Sequence, residues 1–151
     1  MMWLMLQQDE ADDYVVGTGK THSVRDFITV ALDYLGIELE WNGEETKETG
    51  VVNSVDGKWN SILQPGQTII LIDPKYFRPT EVDILCADIS KAKQKLQWEP
   101  KVSFSELVKL MIDHDLEKVK VPSPGLGKKI IGNNGYAWTE HKISLHERIK
   151  G

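Results

Sequence analysis

The sequence predicts an α/β to α+β fold in which helices alternate with short strands. Three observations carry that class. Ser23 and Ser103 each stand three residues before an acidic residue and ahead of apolar positions at helical spacing. Ile37 to Trp41 alternates apolar and acidic residues, the period of a half-buried strand. Thr68 to Ile72 is a compact apolar run of strand type, closed by Asp73-Pro74.

The elements follow in order. Met1-Met2-Trp3-Leu4-Met5-Leu6 has no basic flank and stops at Gln7-Gln8-Asp9-Glu10, so it is not patterned as a signal peptide. It also falls far short of the about 20 apolar residues of a membrane span. It reads as the end of an amphipathic helix entered abruptly, as expected of the later part of a longer chain. Tyr14-Val15-Val16 reads as a short strand, closed by the loop Gly17-Thr18-Gly19-Lys20. Ser23 and Asp26 then make a capping box, Val24, Phe27, Ile28, Ala31, Leu32 and Leu35 follow at helical spacing as an apolar stripe, and Gly36 stops the helix. Residues 42–67 are polar and weakly patterned, with a hairpin predicted over 51–59 that turns at Asp56-Gly57. Ser90 is the predicted cap of a short helix, Lys91 to Leu96, and Trp98 to Val102 a turn. Ser103 and Glu106 open a long helix toward Val119, with Leu107, Val108, Met111 and Ile112 on its apolar stripe, ended by Pro122 and Pro124. Gly125, Gly127 and Asn133-Asn134-Gly135 are loop signals, and a short helix is predicted near residues 144–149.

Composition bounds the function. The 151 residues are 40% apolar and 27% charged, which suits one soluble domain or a piece of a larger one and excludes a disordered tail or a membrane bundle. A formal net charge of −5 argues against nucleic acid as a partner, so any anionic ligand must be held by a few local arginines and backbone N–H groups. Cys86 is the single cysteine; it allows no internal disulfide and no CxxC pair, which points to a reducing compartment, the cytoplasm. The histidines 22, 114, 141 and 146 never fall at i, i+4, so no metal site is expected.

Gly17-Thr18-Gly19-Lys20-Thr21 invites a phosphate-loop reading and fails on spacing. One residue, not four, separates the first glycine from the Gly-Lys pair, and the third glycine of a dinucleotide fingerprint is lacking. It reads as a strand-to-helix turn. More informative is Arg78-Pro79-Thr80-Glu81-Val82-Asp83, which places a guanidinium and a carboxylate three residues apart after an apolar strand. Arg offers a planar fork of donors to phosphate oxygens, and Glu offers paired acceptors to a sugar diol or a base edge; an intrachain ion pair on a turn is the alternative. Arg25 sits in the first turn of its helix, where a cation opposes the helix dipole, so it calls for an anionic ligand or stands exposed. His22 reads as a loop histidine bonded to backbone, and Trp41 and Trp98 as core anchors.

As a set these residues are recognisable. Residues 2–7, the stretch Thr21-His22-Ser23-Val24-Arg25-Asp26-Phe27 and the stretch from Asp73 to Asp83 closely resemble the C-terminal half of the GDP-mannose 4,6-dehydratase family. Residues 88–102, from Asp88-Ile89-Ser90-Lys91 to Trp98-Glu99-Pro100-Lys101-Val102, resemble the segment that closes extended short-chain dehydrogenases acting on nucleotide sugars. The resemblance runs to about Val119 and divides the chain into a nucleotide-sugar-binding part, 1–120, and a divergent tail, 121–151. It implies the C-terminal part of an extended short-chain dehydrogenase with the Rossmann core largely missing. The family activity it implies is an NADP-dependent lyase: C4 of GDP-mannose is oxidised, water leaves across C5 and C6, and hydride returns at C6, giving GDP-4-keto-6-deoxymannose on the route to GDP-fucose. The family's cofactor fingerprint and catalytic residues have no counterpart here, so no catalytic and no NADP-binding residue is expected and the chain alone is expected to be inactive. Arg78 is expected to meet the diphosphate or the base, and Glu81 the ribose hydroxyls or the guanine N–H groups. Arg25, Ser23 and Val24 are expected to line the same pocket or a subunit contact. Expected partners are a GDP-sugar and either a second copy or an N-terminal half. The alternative is a non-catalytic module that keeps the fold for GDP-sugar binding or protein contacts.

Overall fold

The computed structural model describes residues 1–78, 80 and 84–135. Met2–Met5 forms a single helical turn, α1, with no buried residue; Met2, Trp3 and Leu6 are largely exposed. The first capping box then acts as the sequence predicts. The Ser23 hydroxyl accepts from the Asp26 amide at 3.0 Å, and the Ser23 amide donates to the Asp26 carboxylate at 2.8 Å, starting α2 (Val24–Tyr34). Gly36, at φ +77°, ends that helix where a side chain would be strained.

β1 (Ile37–Asn42), β2 (Thr49–Val55) and β3 (Thr68–Leu71) form an antiparallel sheet in the order β1-β2-β3. Ile37 lies opposite Val55 and Asn42 opposite Thr49, so the hairpin turns at residues 43–48. The hairpin predicted over 51–59 does not form. Val52 is buried at the centre of the sheet with β1 on one side and β3 on the other, and Gly57 opens a 3-10 turn, Gly57–Ser61, not a return strand. Tyr14-Val15-Val16 is likewise not a strand: no ladder partner meets it among the described residues, and Val15 and Val16 are exposed.

α3 (Ser90–Leu96) starts one residue earlier than predicted. Its cap position is Ile89, and the Ser90 hydroxyl, then the Ser90 amide, bonds the Asp88 carboxylate and holds that carboxyl below the usual range. α4 (Phe104–Lys118) carries the second capping box, with the Ser103 amide donating to Glu106 at 2.8 Å. The core is built from Ala31 of α2, Ile37 and Val52 of the sheet, Ala92 and Leu96 of α3, and Val108 of α4.

The loop expected after Pro124 is a helix, α5 (Leu126–Asn133). A buried side chain explains it. Asp113, 0% exposed, accepts from the Tyr34 hydroxyl at 2.9 Å, the Gly125 amide at 3.2 Å and the Gly127 amide at 2.6 Å. The Tyr34 oxygen in turn accepts the Leu126 amide at 3.1 Å. The free N–H groups that start α5 are thus satisfied by side chains of α4 and α2. A Cβ at Gly127 would lie 2.9 Å from the Leu110 Cα, so the two helices approach closely because this residue is glycine. The short helix predicted near 144–149 lies outside the described residues.

Replacing Asp113 with Ala leaves buried N–H and O–H donors without an acceptor and is expected to lower the unfolding free energy by about 3 kcal/mol. Asp113→Asn, which keeps one acceptor oxygen, is expected to lose less. Urea titration followed by circular dichroism measures both.

Candidate functional site

Arg78 reaches solvent because of what precedes it. β3 ends at Leu71, the Asp73 side chain accepts the Lys75 amide at 2.9 Å, and Pro74 begins the 3-10 turn Pro74–Tyr76. Phe77 and Arg78 follow in an exposed stretch. Glu81, expected beside it, lies outside the described residues.

Ser23, Val24 and Arg25 share the first turn of α2 but differ in what they can offer. The Ser23 hydroxyl is committed to the cap, which holds the Asp26 carboxyl below its usual value. Val24 is 76% exposed, an apolar side chain open to a ligand or a second protein surface. Arg25 pairs with Glu48, whose carboxylate is mostly buried, and its guanidinium lies 5.5 Å from the centroid of the Trp41 ring. The Trp41 indole N–H donates to the Thr29 hydroxyl at 3.4 Å. The cation at the unfavourable end of a helix therefore has its anion inside the chain. Sequence reasoning missed this partner because Glu48 sits in the weakly patterned stretch 42–67.

Sequence reasoning also missed an aromatic contact. His22 lies in a loop as read, but a ring contact holds it: its ring stacks on Phe104 with centroids 3.8 Å apart and planes 6° from parallel, and Phe27 meets Phe104 edge-on at 6.4 Å. The stack forms one wall of an open groove of about 420 Å³ shared by Thr18, Lys20, Val102 and Glu106. Arg78 is not part of that groove, so the case for a ligand there is separate from the groove itself.

The Gly17–Lys20 loop is closed to a dinucleotide by its own packing. A Cβ at Gly17 would lie 2.8 Å from the Ala87 Cβ, and one at Gly19 would lie 3.6 Å from Ile89. The glycines are packed against side chains, leaving no open backbone cradle for a pyrophosphate, and the loop does not fit NADP. Among the described residues no group of His, Cys, Asp and Glu is arranged to hold a metal ion, and no helix is long and apolar enough to cross a membrane.

One electrostatic link holds the chain ahead of this loop. Lys91 and Lys95, one turn apart on α3, both donate to Asp12, at 2.5 and 3.0 Å. The hydrogen bond from Lys91, then that from Lys95, pulls the Asp12 carboxyl down from 3.8 to about 2. Lys91 also lies 5.3 Å from the Tyr14 ring centroid, so residues 12–14 are tied to α3 at two points.

Comparison with known proteins gives this geometry a family. The model of the family GDP-mannose 4,6 dehydratase matches residues 1–111. The GDP-mannose 4,6 dehydratase of Dictyostelium discoideum is 44% identical over 119 residues, covering 79% of this chain and 31% of that protein. The GDP-mannose 4,6-dehydratase of Vibrio cholerae is 43% identical over 117 residues, 78% of this chain and 32% of that protein. GDP-mannose 4,6 dehydratase 1 of Arabidopsis thaliana is 41% identical over 135 residues, 89% of this chain and 28% of that protein. The chain belongs to the GDP-mannose 4,6-dehydratase family and spans about a third of the length of the curated relatives it matches.

The Asp12 link has a defined acid limit. Its carboxyl is depressed in the folded chain, so its contribution is complete above the ordinary value of 3.8 and fades as pH falls toward about 2. Amide exchange in residues 12–16 is expected to speed up across that window, beyond the intrinsic pH effect. Asp12→Asn, already without the charge, is expected to show no such step.

Proposed function

We propose that this chain supplies the nucleotide-sugar-binding part of a GDP-mannose 4,6-dehydratase, with residues 1–120 as that part and 121–151 as a divergent tail. The observation that carries the reading is the family match over residues 1–111, which contains both the capped turn and Arg78 beyond it. Arg78 binds the nucleotide end of the substrate, through the diphosphate or the base, because its planar fork of N–H donors matches paired acceptor oxygens. Glu81 accepts from the ribose hydroxyls or the guanine N–H groups.

Ser23, Val24 and Arg25 line the same pocket or a subunit contact. Their observed bonding favours an indirect part for two of them. Ser23 sets the start of α2, and Arg25 ties that start to Glu48, which leaves Val24 as the member with a free surface.

The NADP that the family reaction implies is held by residues outside this chain, within the two thirds of the relatives that it does not span. Those residues belong to the rest of a longer polypeptide or to a partner chain in a cytoplasmic assembly. Binding and orienting the GDP-sugar is the share of the reaction performed here; redox chemistry and loss of water belong to the remainder.

Calorimetric titration of the chain with GDP and with ADP tests the assignment. GDP is expected to bind more tightly than ADP, and Arg78→Ala is expected to weaken GDP by about tenfold, the loss of one charge-assisted hydrogen bond. Equal GDP binding by Arg78→Ala and the parent would leave Arg78 as a structural residue.

A further inference from the structure

Tyr14-Val15-Val16 has the composition of a strand and the exposure of a surface loop. In strand conformation successive side chains point to opposite faces. Val15 and Val16 are both β-branched and each is 53% exposed, so this segment is apolar on both faces and covered on neither. Two-faced apolar patterning belongs to strands inside a sheet with layers packed on both sides. Among the described residues, no hydrogen bond reaches the amide or carbonyl of Tyr14, Val15 or Val16.

The segment is nevertheless held in place. Asp12 accepts from Lys91 and Lys95, and Lys91 lies over the Tyr14 ring. A Cβ at Gly17 would stand 2.8 Å from the Ala87 Cβ, and the Thr21 hydroxyl donates to the Leu85 carbonyl at 2.8 Å. As the chain advances from Asp12 to Thr21, its partners step back from Lys95 to Leu85, so the two stretches run antiparallel without forming a ladder. Ile84 and Leu85 on the second stretch are also largely exposed. Fixing an open segment costs conformational freedom with no backbone hydrogen bond in return. A strand that docks there gains those bonds and finds the freedom already lost.

We infer that residues 14–16 are a docking strand for the remainder of a GDP-mannose 4,6-dehydratase, which adds an extended apolar strand along their open edge and covers both valine faces. The inference rests on the proposal that this chain is one part of such an enzyme. Residues 14–16 lie inside the matched span 1–111, and the relatives carry about two thirds of their length outside the match, enough for a strand and its covering layers. A second copy of this chain fits the surface poorly. Antiparallel pairing of 14–16 with itself supplies an edge partner but leaves both valine faces in water.

Amide exchange and thermal unfolding test this on the chain alone and on a chimera, the Vibrio cholerae relative with its matched segment replaced by this chain. The amides of Val15 and Val16 are expected to exchange freely in the chain alone and at least about tenfold more slowly in the chimera. Val16→Lys is expected to leave the unfolding midpoint of the chain unchanged and to lower that of the chimera by several degrees, because the lysine is then buried between layers. Val16→Ile, which keeps the apolar face, is expected to match the parent in both. Free exchange at Val15 and Val16 in the chimera overturns the inference, as do two separate unfolding transitions or an equal response of chain and chimera to Val16→Lys. Protection that appears in the chain alone and grows with its concentration assigns the strand to a second copy and also overturns it. Parental GDP binding by the chain with Val15 and Val16 unprotected in the chimera removes the docking strand and leaves the substrate-binding reading in place. Protected valines with no GDP binding support the docking strand and remove that reading.

Discussion

The Asp113 carboxylate has left water entirely and is met by oriented donors from three directions: a phenol from α2 and two backbone amides at the start of α5. Removing a carboxylate from water carries a large penalty, which charge-assisted hydrogen bonds offset when their geometry is good. The same cluster satisfies the start of a helix that has no side-chain cap of its own, because its cap residue is Gly125. Tyr34 shares the consequence. Burial, reinforced by its bond to Asp113, pushes the phenol up to about 12, so it remains a protonated donor throughout the physiological range. α2, α4 and α5 are therefore held by one polar knot as well as by apolar packing.

A second constraint works on the surface around the candidate site. Arg25, Glu48 and Trp41 join the first turn of α2 to the sheet, while Asp12 joins the N-terminal stretch to α3 through two lysines. Exposed ion pairs are individually weak because solvent screens them and long side chains lose freedom in forming them. Their value here is geometric. They fix the approach of residues 12–25, which contain the loop that meets residues 85–89. The loop and the first turn of α2 are thus held by contacts distant in sequence.

The residue pattern alone singled out the candidate site. The Arg78 cluster stood out because a guanidinium and a carboxylate follow an apolar strand and a proline-bounded turn, and the structure supplies the capped turn. Val24 reads from its spacing as the first residue of the apolar stripe of α2, yet it is exposed because it precedes the turn that packs on the sheet. The roles within the α2 turn were not legible. Arg25 looked like a cation in search of a ligand because its partner Glu48 lies 23 residues away. The His22–Phe104 stack was hidden for the same reason: neither residue carries a local signal for the other.

What the sequence determined by itself was local. Serine–acid capping boxes, the glycine that stops α2, and the alternation of β1 depend on residues within a turn or two of one another, where hydrogen-bond geometry and side-chain period decide the outcome. Tertiary structure decided the remainder. β2 emerged from a weakly patterned stretch because strands on both sides supply its hydrogen bonds, while Tyr14-Val15-Val16, with strand composition, lacks such a partner among the described residues and forms no ladder. Gly125 and Gly127 read as loop signals and instead begin a helix. A buried carboxylate, brought near by the folding of α4 against α2, binds the amides that the local sequence leaves unsatisfied.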